Sequence, residues 1–252
     1  MKPAWPSRLS AALLAALFWA PGPAAADTKN TVKSAVHHIP PLAILQDGQP
    51  PSGVVVDVLR GSLERAGYSR FEFMTLPFAR VHERLERGDV DMAVVARSPE
   101  RLQNFPPGPT LYHDDLVFIT RADHAAVDSF EDGKKLGSVG VVKGSLTDGF
   151  LARQGDANLQ ATPSFEANLK KLEAGHIEAW FVNLSTGVSV LRQAGVPLSS
   201  VRIGNAVFGI DFVPIFSPKG DQELPKAVED GLAALKSDGS YTAILKKYGM
   251  LP

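Results

Sequence analysis

Residues 88–101 read Gly88-Asp-Val-Asp-Met-Ala-Val-Val-Ala-Arg-Ser-Pro-Glu-Arg101. The apolar run Val90–Ala96, bounded by glycine and aspartate on one side and Ser98-Pro99 on the other, predicts a strand. Val81 and Leu85 just before it fall at helical spacing. After it the chain turns and opens another helix, on which Arg101 sits at the start. Helix, strand and helix within so short a stretch define an α/β chain.

The same alternation extends in both directions. Further candidate strands are 31–39, 71–76, 116–120, 138–143, 179–183, 201–207 and 212–217, rich in Val, Ile and Phe and mostly set between Gly, Pro or Asp breaks. Helical patterns lie between them. Val55, Val58, Leu59 and Leu63 mark one, and Phe165, Leu169 and Leu172 another behind a Ser164 cap. A third carries Val228, Leu232 and Leu235. Such alternation implies right-handed βαβ units and mainly parallel sheets. There is no internal repeat and no low-complexity linker, so any domain boundary is a crossing strand, which suits a hinge.

The N-terminus reads as an export signal. Lys2 and Arg8 precede the apolar stretch Ala11–Ala20, Pro21-Gly-Pro23 breaks it, and Ala24-Ala-Ala26 supplies small residues for cleavage after Ala26. The stretch is shorter than the roughly 20 residues that span a bilayer. Cleavage leaves 24 basic against 27 acidic residues, a net charge of −3 with histidine neutral. That balance gives no reason to expect nucleic acid or an anionic membrane as partner. The absence of cysteine excludes disulfides, thiolate chemistry and a lipid anchor on an N-terminal cysteine. The expected location is the periplasm, as a freely soluble protein.

Six short segments then fall in a recognisable order: Ile39-Pro-Pro-Leu42; Gly53-Val-Val-Val-Asp57-Val58; Gly88-Asp-Val-Asp91 with Ser98-Pro-Glu-Arg101; Val139-Gly-Val-Val-Lys-Gly144-Ser145; Leu172-Glu-Ala-Gly175-His-Ile-Glu178-Ala179; and Asp238-Gly-Ser-Tyr-Thr-Ala-Ile244-Leu-Lys-Lys247-Tyr248. Together they resemble the periplasmic substrate-binding proteins of polar-amino-acid ABC importers. Leu76-Pro-Phe-Ala-Arg80 and Ile215-Phe-Ser-Pro218 look like a divergent branch. The resemblance implies a type II periplasmic binding protein fold, two Rossmann-like α/β lobes joined by two crossing strands. Residues 27–118 plus 213–252 would form lobe 1 and residues 119–212 lobe 2. It also implies a monomer with no cofactor, a small-molecule ligand in the cleft, and a membrane ABC permease that recognises the closed form.

The same resemblance nominates site residues. Arg101 matches the arginine that holds a ligand carboxylate, a task suited to a planar guanidinium with two parallel donors; otherwise it is a surface arginine at a helix start. Arg97, at the end of the strand, either adds a positive contact or is solvated, and Arg80 is a further candidate of the same kind. Where typical members place Ser or Thr hydroxyls this chain has Val95 and Ala96, leaving the backbone at Ala96 to serve. At the position of the aspartate that pairs with an ammonium stands Asn183, which supplies no countercharge. It either meets the ligand or caps the following helix. This substitution turns the expectation from an α-amino acid toward a carboxylate without an ammonium or another polar solute. Ser145 lies at a strand-to-helix turn whose N–H groups suit an anion. Phe78 and His38 either wall the cleft or pack elsewhere. Trp180, three residues before Asn183, is expected on the opposite strand face, in the core.

Other chemistries have little support. No HExxH, i, i+4 histidine pair, Gly-x-Ser-x-Gly elbow, P-loop or dinucleotide fingerprint is present. Two alternatives remain. One is a cleft enzyme of the cyclohexadienyl dehydratase type, for which Glu173 and Glu178 are the nearest acids. The other is a periplasmic sensory binding partner.

Overall fold

A computed structural model describes residues 1, 31–76, 78–155 and 158–250, with the side chains of residues 78 and 79 left out. The export signal and its cleavage site lie outside the described residues. In chain order the elements are β1 (Val32–Val36), α1 (Val54–Arg65), β2 (Phe71–Thr75), α2 (Phe78–Arg87), β3 (Met92–Ala96), α3 (Pro99–Leu102), β4 (Tyr112–Arg121) and α4 (Phe130–Gly133). There follow β5 (Val139–Val142), α5 (Leu146–Arg153), β6 (Leu159–Thr162), α6 (Phe165–Glu173), β7 (Ala179–Asn183), α7 (Leu184–Gln193), β8 (Val201–Ile203), β9 (Phe208–Phe216), α8 (Leu224–Ser237) and α9 (Ser240–Lys247).

The strands form one sheet in the order β2-β1-β3-β9-β4-β7-β5-β6, with β8 on β4. β1 is parallel to β2 and β3, and β5 is parallel to β6 and β7. Parallel strands covered on both faces read as continuous apolar runs, and β3 shows why. Met92, Val94 and Ala96 enter one core cluster, while Ala93 and Val95 enter another with Val81, Leu85 and Phe105.

The two long strands make the lobes. Phe212–Phe216 of β9 pair with β3, while Leu116–Thr120 of β4 pair with β7. Between those halves, Tyr112–Leu116 and Phe208–Phe212 pair antiparallel with each other. The chain therefore crosses from one lobe to the other twice, on adjacent hydrogen-bonded strands, and this is the type II periplasmic binding protein fold.

The second and the last segments of the motif series meet in space. The Gly53 N–H donates to Tyr248 Oη at 2.8 Å, Tyr248 Oη donates to Asp57 at 2.7 Å, and Lys247 Nζ reaches the same carboxylate at 2.7 Å. This cluster fastens α9 to the start of α1. α8 lies against α1 so closely that a Cβ on Gly231 would stand 1.9 Å from the Ser62 carbonyl oxygen. The structure departs from the sequence expectation in several places. β1 stops at Val36, β4 and β9 extend further through polar residues, β8 stops at Ile203, and β6 was not expected. The pairings are not mainly parallel, since the long strands β4 and β9 run antiparallel to their neighbours.

Candidate functional site

A cavity of about 720 Å³ opens where several strands end. His37 and His38 follow β1, Ala96 closes β3, Gly144 and Ser145 turn from β5 into α5, Asn183 closes β7, and Ile210 and Phe212 of the crossing strand β9 complete the wall. Most of these positions lie beyond carboxyl strand ends, where open α/β sheets bind ligands. Arg101 and Lys143 are the cations of the lining, and no Asp or Glu is found among its described residues.

Arg101 owes its place to local chemistry. Ser98 caps α3, its Oγ accepting the Arg101 N–H at 3.4 Å, and Pro99 occupies the first helical turn where its missing N–H costs nothing. His82 of α2, stacked on Phe105 with ring centroids 5.3 Å apart, bonds the Arg101 carbonyl oxygen through Nε2 at 3.1 Å. Burial lowers the Arg101 guanidinium to about 10, so it keeps its charge at neutral pH. Beside it, burial first, then Arg101 and His38, holds His37 neutral with a pKa of about 3.

Asn183 sits at the start of α7, yet its side chain makes no capping bond. The cap comes from β4. The Asp114 carboxylate accepts the Ser185 N–H at 3.3 Å and the Ser185 hydroxyl at 2.5 Å. Asp114 is 5% exposed, and burial raises its pKa against the opposing pull of those hydrogen bonds. Asn183 is thereby released from the helix end. It is 7% exposed, lines the cavity, and its buried Nδ2 has no hydrogen-bond partner.

Ser145 lines the cavity but is also occupied locally. Its Oγ caps α5 by accepting the Asp148 N–H at 3.2 Å, and the Asp148 carboxylate takes the Gly144 N–H at 2.7 Å. Ala96 and His38 are in the lining, with the His38 Nδ1 accepting the Leu45 N–H at 3.1 Å. Arg97 and Arg80 are not in it. Arg97 continues the β3–β9 ladder, its side chain 3.5 Å from Asp211, and Arg80 is exposed and pairs with Glu83 at 3.0 Å. The Phe78 side chain lies outside the described residues. Trp180 is fully buried, as strand alternation suggested, but it also backs the cavity, with an unpartnered Nε1. Sequence reasoning did not single out His37, His82 or Lys143. Only the fold brings His37 beside Arg101.

The sequence model of the bacterial extracellular solute-binding proteins, family 3, matches residues 32–250. The chain belongs to that family. Among its relatives, this family 3 protein is 27% identical over 212 residues to a probable histidine-binding protein of Neisseria gonorrhoeae, a match covering 78% of this chain and 74% of that one. The sensor domain of a histidine kinase superposes with a TM-score of 0.74 at 23% identity, covering 88% and 96% of the two chains. The arginine-, lysine-, histidine-binding protein ArtJ of Geobacillus stearothermophilus gives 0.72 at 18%, covering 87% and 95%. At these identities the two structures share its fold.

Two further features of this solute-binding protein bear on its cleft. Glu100 of α3 and Arg153 of α5 form an ion pair at 3.4 Å, joining helices that precede and follow the crossing strand β4. Glu173 and Glu178 do not line the cavity, and Glu178 instead accepts the Gly137 N–H at 3.0 Å. No helix among the described residues is long and apolar enough to cross a membrane.

Proposed function

We propose that this protein is exported, cleaved after Ala26, and works in the periplasm as a monomer. There it captures a small carboxylate-bearing solute and presents it to a membrane ABC permease. Lobe 1 comprises residues 27–118 plus 213–252 and lobe 2 residues 119–212, and closure over the ligand creates the surface that the permease reads. The observation that carries the reading is Arg101, a charged guanidinium on the wall of a cavity whose described lining holds no acid. A ligand carboxylate can meet this guanidinium through paired, charge-assisted hydrogen bonds. The ligands named for the relatives, histidine, arginine and lysine, all carry such a group. A binding rather than catalytic role is favoured because the candidate acids Glu173 and Glu178 lie away from the cavity.

The test uses the protein beginning at Asp27, in which Trp180 is the sole tryptophan. Amino acids, dicarboxylates, polyamines and aromatic acids are titrated while Trp180 emission and melting temperature are followed. A ligand of the native state raises the melting temperature by mass action. A carboxylate hit that Arg101→Ala abolishes supports the reading, and responses to polyamines alone would sink it.

A further inference from the structure

The charge census of the cavity says more about the ligand than that it is an anion. The acids adjoining the lining in sequence are Glu83, Glu100, Asp148, Glu166 and Asp211, and the acid that holds the helix start beside Asn183 is Asp114. Glu166 is exposed, Glu83 pairs with Arg80 and Arg87, and the others are engaged elsewhere. Glu100 faces Arg153, Asp114 holds Ser185, Asp148 caps Gly144, and Asp211 receives His113 at 2.8 Å and Arg97 at 3.5 Å. None is among the lining residues. Among the described lining residues an ammonium enclosed here would meet Arg101 and Lys143 and no anion, and an uncompensated charge in a dry cleft is strongly disfavoured. Nor can His37 supply a negative partner, since a neutral imidazole carries none.

The second observation is the orphaned Asn183 amide. A buried donor without a partner is disfavoured by about 1–3 kcal/mol, and most such groups in native proteins are matched. Asp114 caps α7 in its place, so the amide serves no local purpose that the structure shows. A neutral acceptor on a ligand fits it, whereas an ammonium, which only donates, cannot accept from Nδ2.

We propose that the cavity selects a monocarboxylate that bears no ammonium, and that its second polar group is an uncharged hydroxyl or carbonyl met by Asn183. Apolar walls from Val81, Val95, Ile210 and Phe212 suit an aromatic or branched body between the two. This rests on the carboxylate reading above and narrows it to hydroxy and oxo acids.

Matched pairs differing only at the nitrogen decide it. L-phenylalanine is compared with L-phenyllactate and phenylpyruvate, and L-histidine with imidazole-lactate, by calorimetry on the wild-type protein and on Arg101→Ala and Asn183→Asp. The hydroxy acids should bind about 10- to 100-fold tighter than their amino acids, and Asn183→Asp should reverse the order by restoring a countercharge. If the amino acids bind as well or better while still requiring Arg101, this inference fails and the carboxylate reading stands. If neither series binds, this inference fails and the carboxylate reading rests on the wider titration above, whereas binding that Arg101→Ala leaves unchanged would overturn both. Should Asn183→Asp not fold, the wild-type comparison decides by itself.

Discussion

On one wall of the cavity β3 ends in a serine cap, a proline and Arg101. On the other, β7 ends in Asn183 and runs directly into α7. Both are strand-to-helix turns, and they solve the capping problem differently. At α3 the cap is local, since Ser98 satisfies the backbone and Arg101 extends from the first turn. At α7 the cap is borrowed from Asp114 on the crossing strand, which frees the residue at the helix start. The first wall is cationic and the second neutral. A helix that takes its cap from a distant strand can place an otherwise committed side chain in a binding site.

The largest test of that contrast removes its charge. Arg101→Ala should weaken a carboxylate ligand by about 100-fold or more, since hydrogen bonds to charged groups contribute about 1.5–3 kcal/mol each. Arg101→Lys should recover only part, because an ammonium lacks the planar fork. Titration calorimetry measures both, and an unchanged affinity for the alanine variant would erase the difference between the walls. Next comes the borrowed cap. Asp114→Ala leaves the Ser185 N–H and hydroxyl unpaired and should destabilise the protein by about 1–3 kcal/mol, read as a melting point lower by about 2–4 °C per kcal/mol. Asp114→Asn should retain most of the stability, and a melting point unmoved by Asp114→Ala would refute the cap.

The cationic wall also carries a pH signature. His37 has a folded pKa of about 3 against an ordinary 6.5, because burial, then Arg101 and His38, disfavours its proton. Its contribution to stability is complete above pH 6.5. It declines as pH falls toward 3, because the unfolded chain takes up a proton that the folded chain refuses, by up to about 1.4 kcal/mol per pH unit. His37→Gln should therefore flatten the stability–pH curve of the wild type between pH 6 and 4. Parallel curves for the two proteins would remove His37 from the account. The smallest effect belongs to the pair between the lobes. Glu100→Gln should shorten ligand residence less than fivefold, since exposed pairs contribute about 0.2–1 kcal/mol, and the difference should fade in high salt. A larger effect that salt leaves untouched would mean Glu100 does more than latch.

Much of this architecture was legible in the chain. β7 was expected at 179–183 and is found there, and β3 and β5 differ by only a residue or two, because buried parallel strands write themselves as unbroken apolar runs. The crossing halves of β4 and β9 were missed for the opposite reason. Tyr112-His-Asp-Asp115 and Phe208-Gly-Ile-Asp211 run between lobes, and their polar residues and glycine carry no apolar run. β6, Leu-Gln-Ala-Thr, is a short edge strand with little apolar content. In the site, Arg101 was visible because its Ser-Pro-Glu-Arg frame is contiguous. That Asp114 and not Asn183 caps α7 was hidden, since the two residues lie far apart in the chain and meet only when β4 pairs with β7.

The double crossing also governs the order in which the molecule can assemble. β4 to β8 are contiguous in sequence and pair among themselves, so that segment can condense early with short-range contacts. The lobe around it cannot. β3 has β1 on one side but lacks its second neighbour until β9 is made, and α1 lacks the cover of α8 until that helix follows. Pairings of such long sequence separation form slowly, so this lobe is the later of the two to close its sheet. Ile210 and Phe212 of β9 belong to the cavity wall, so the last strand to be synthesised is also the one that completes the binding site.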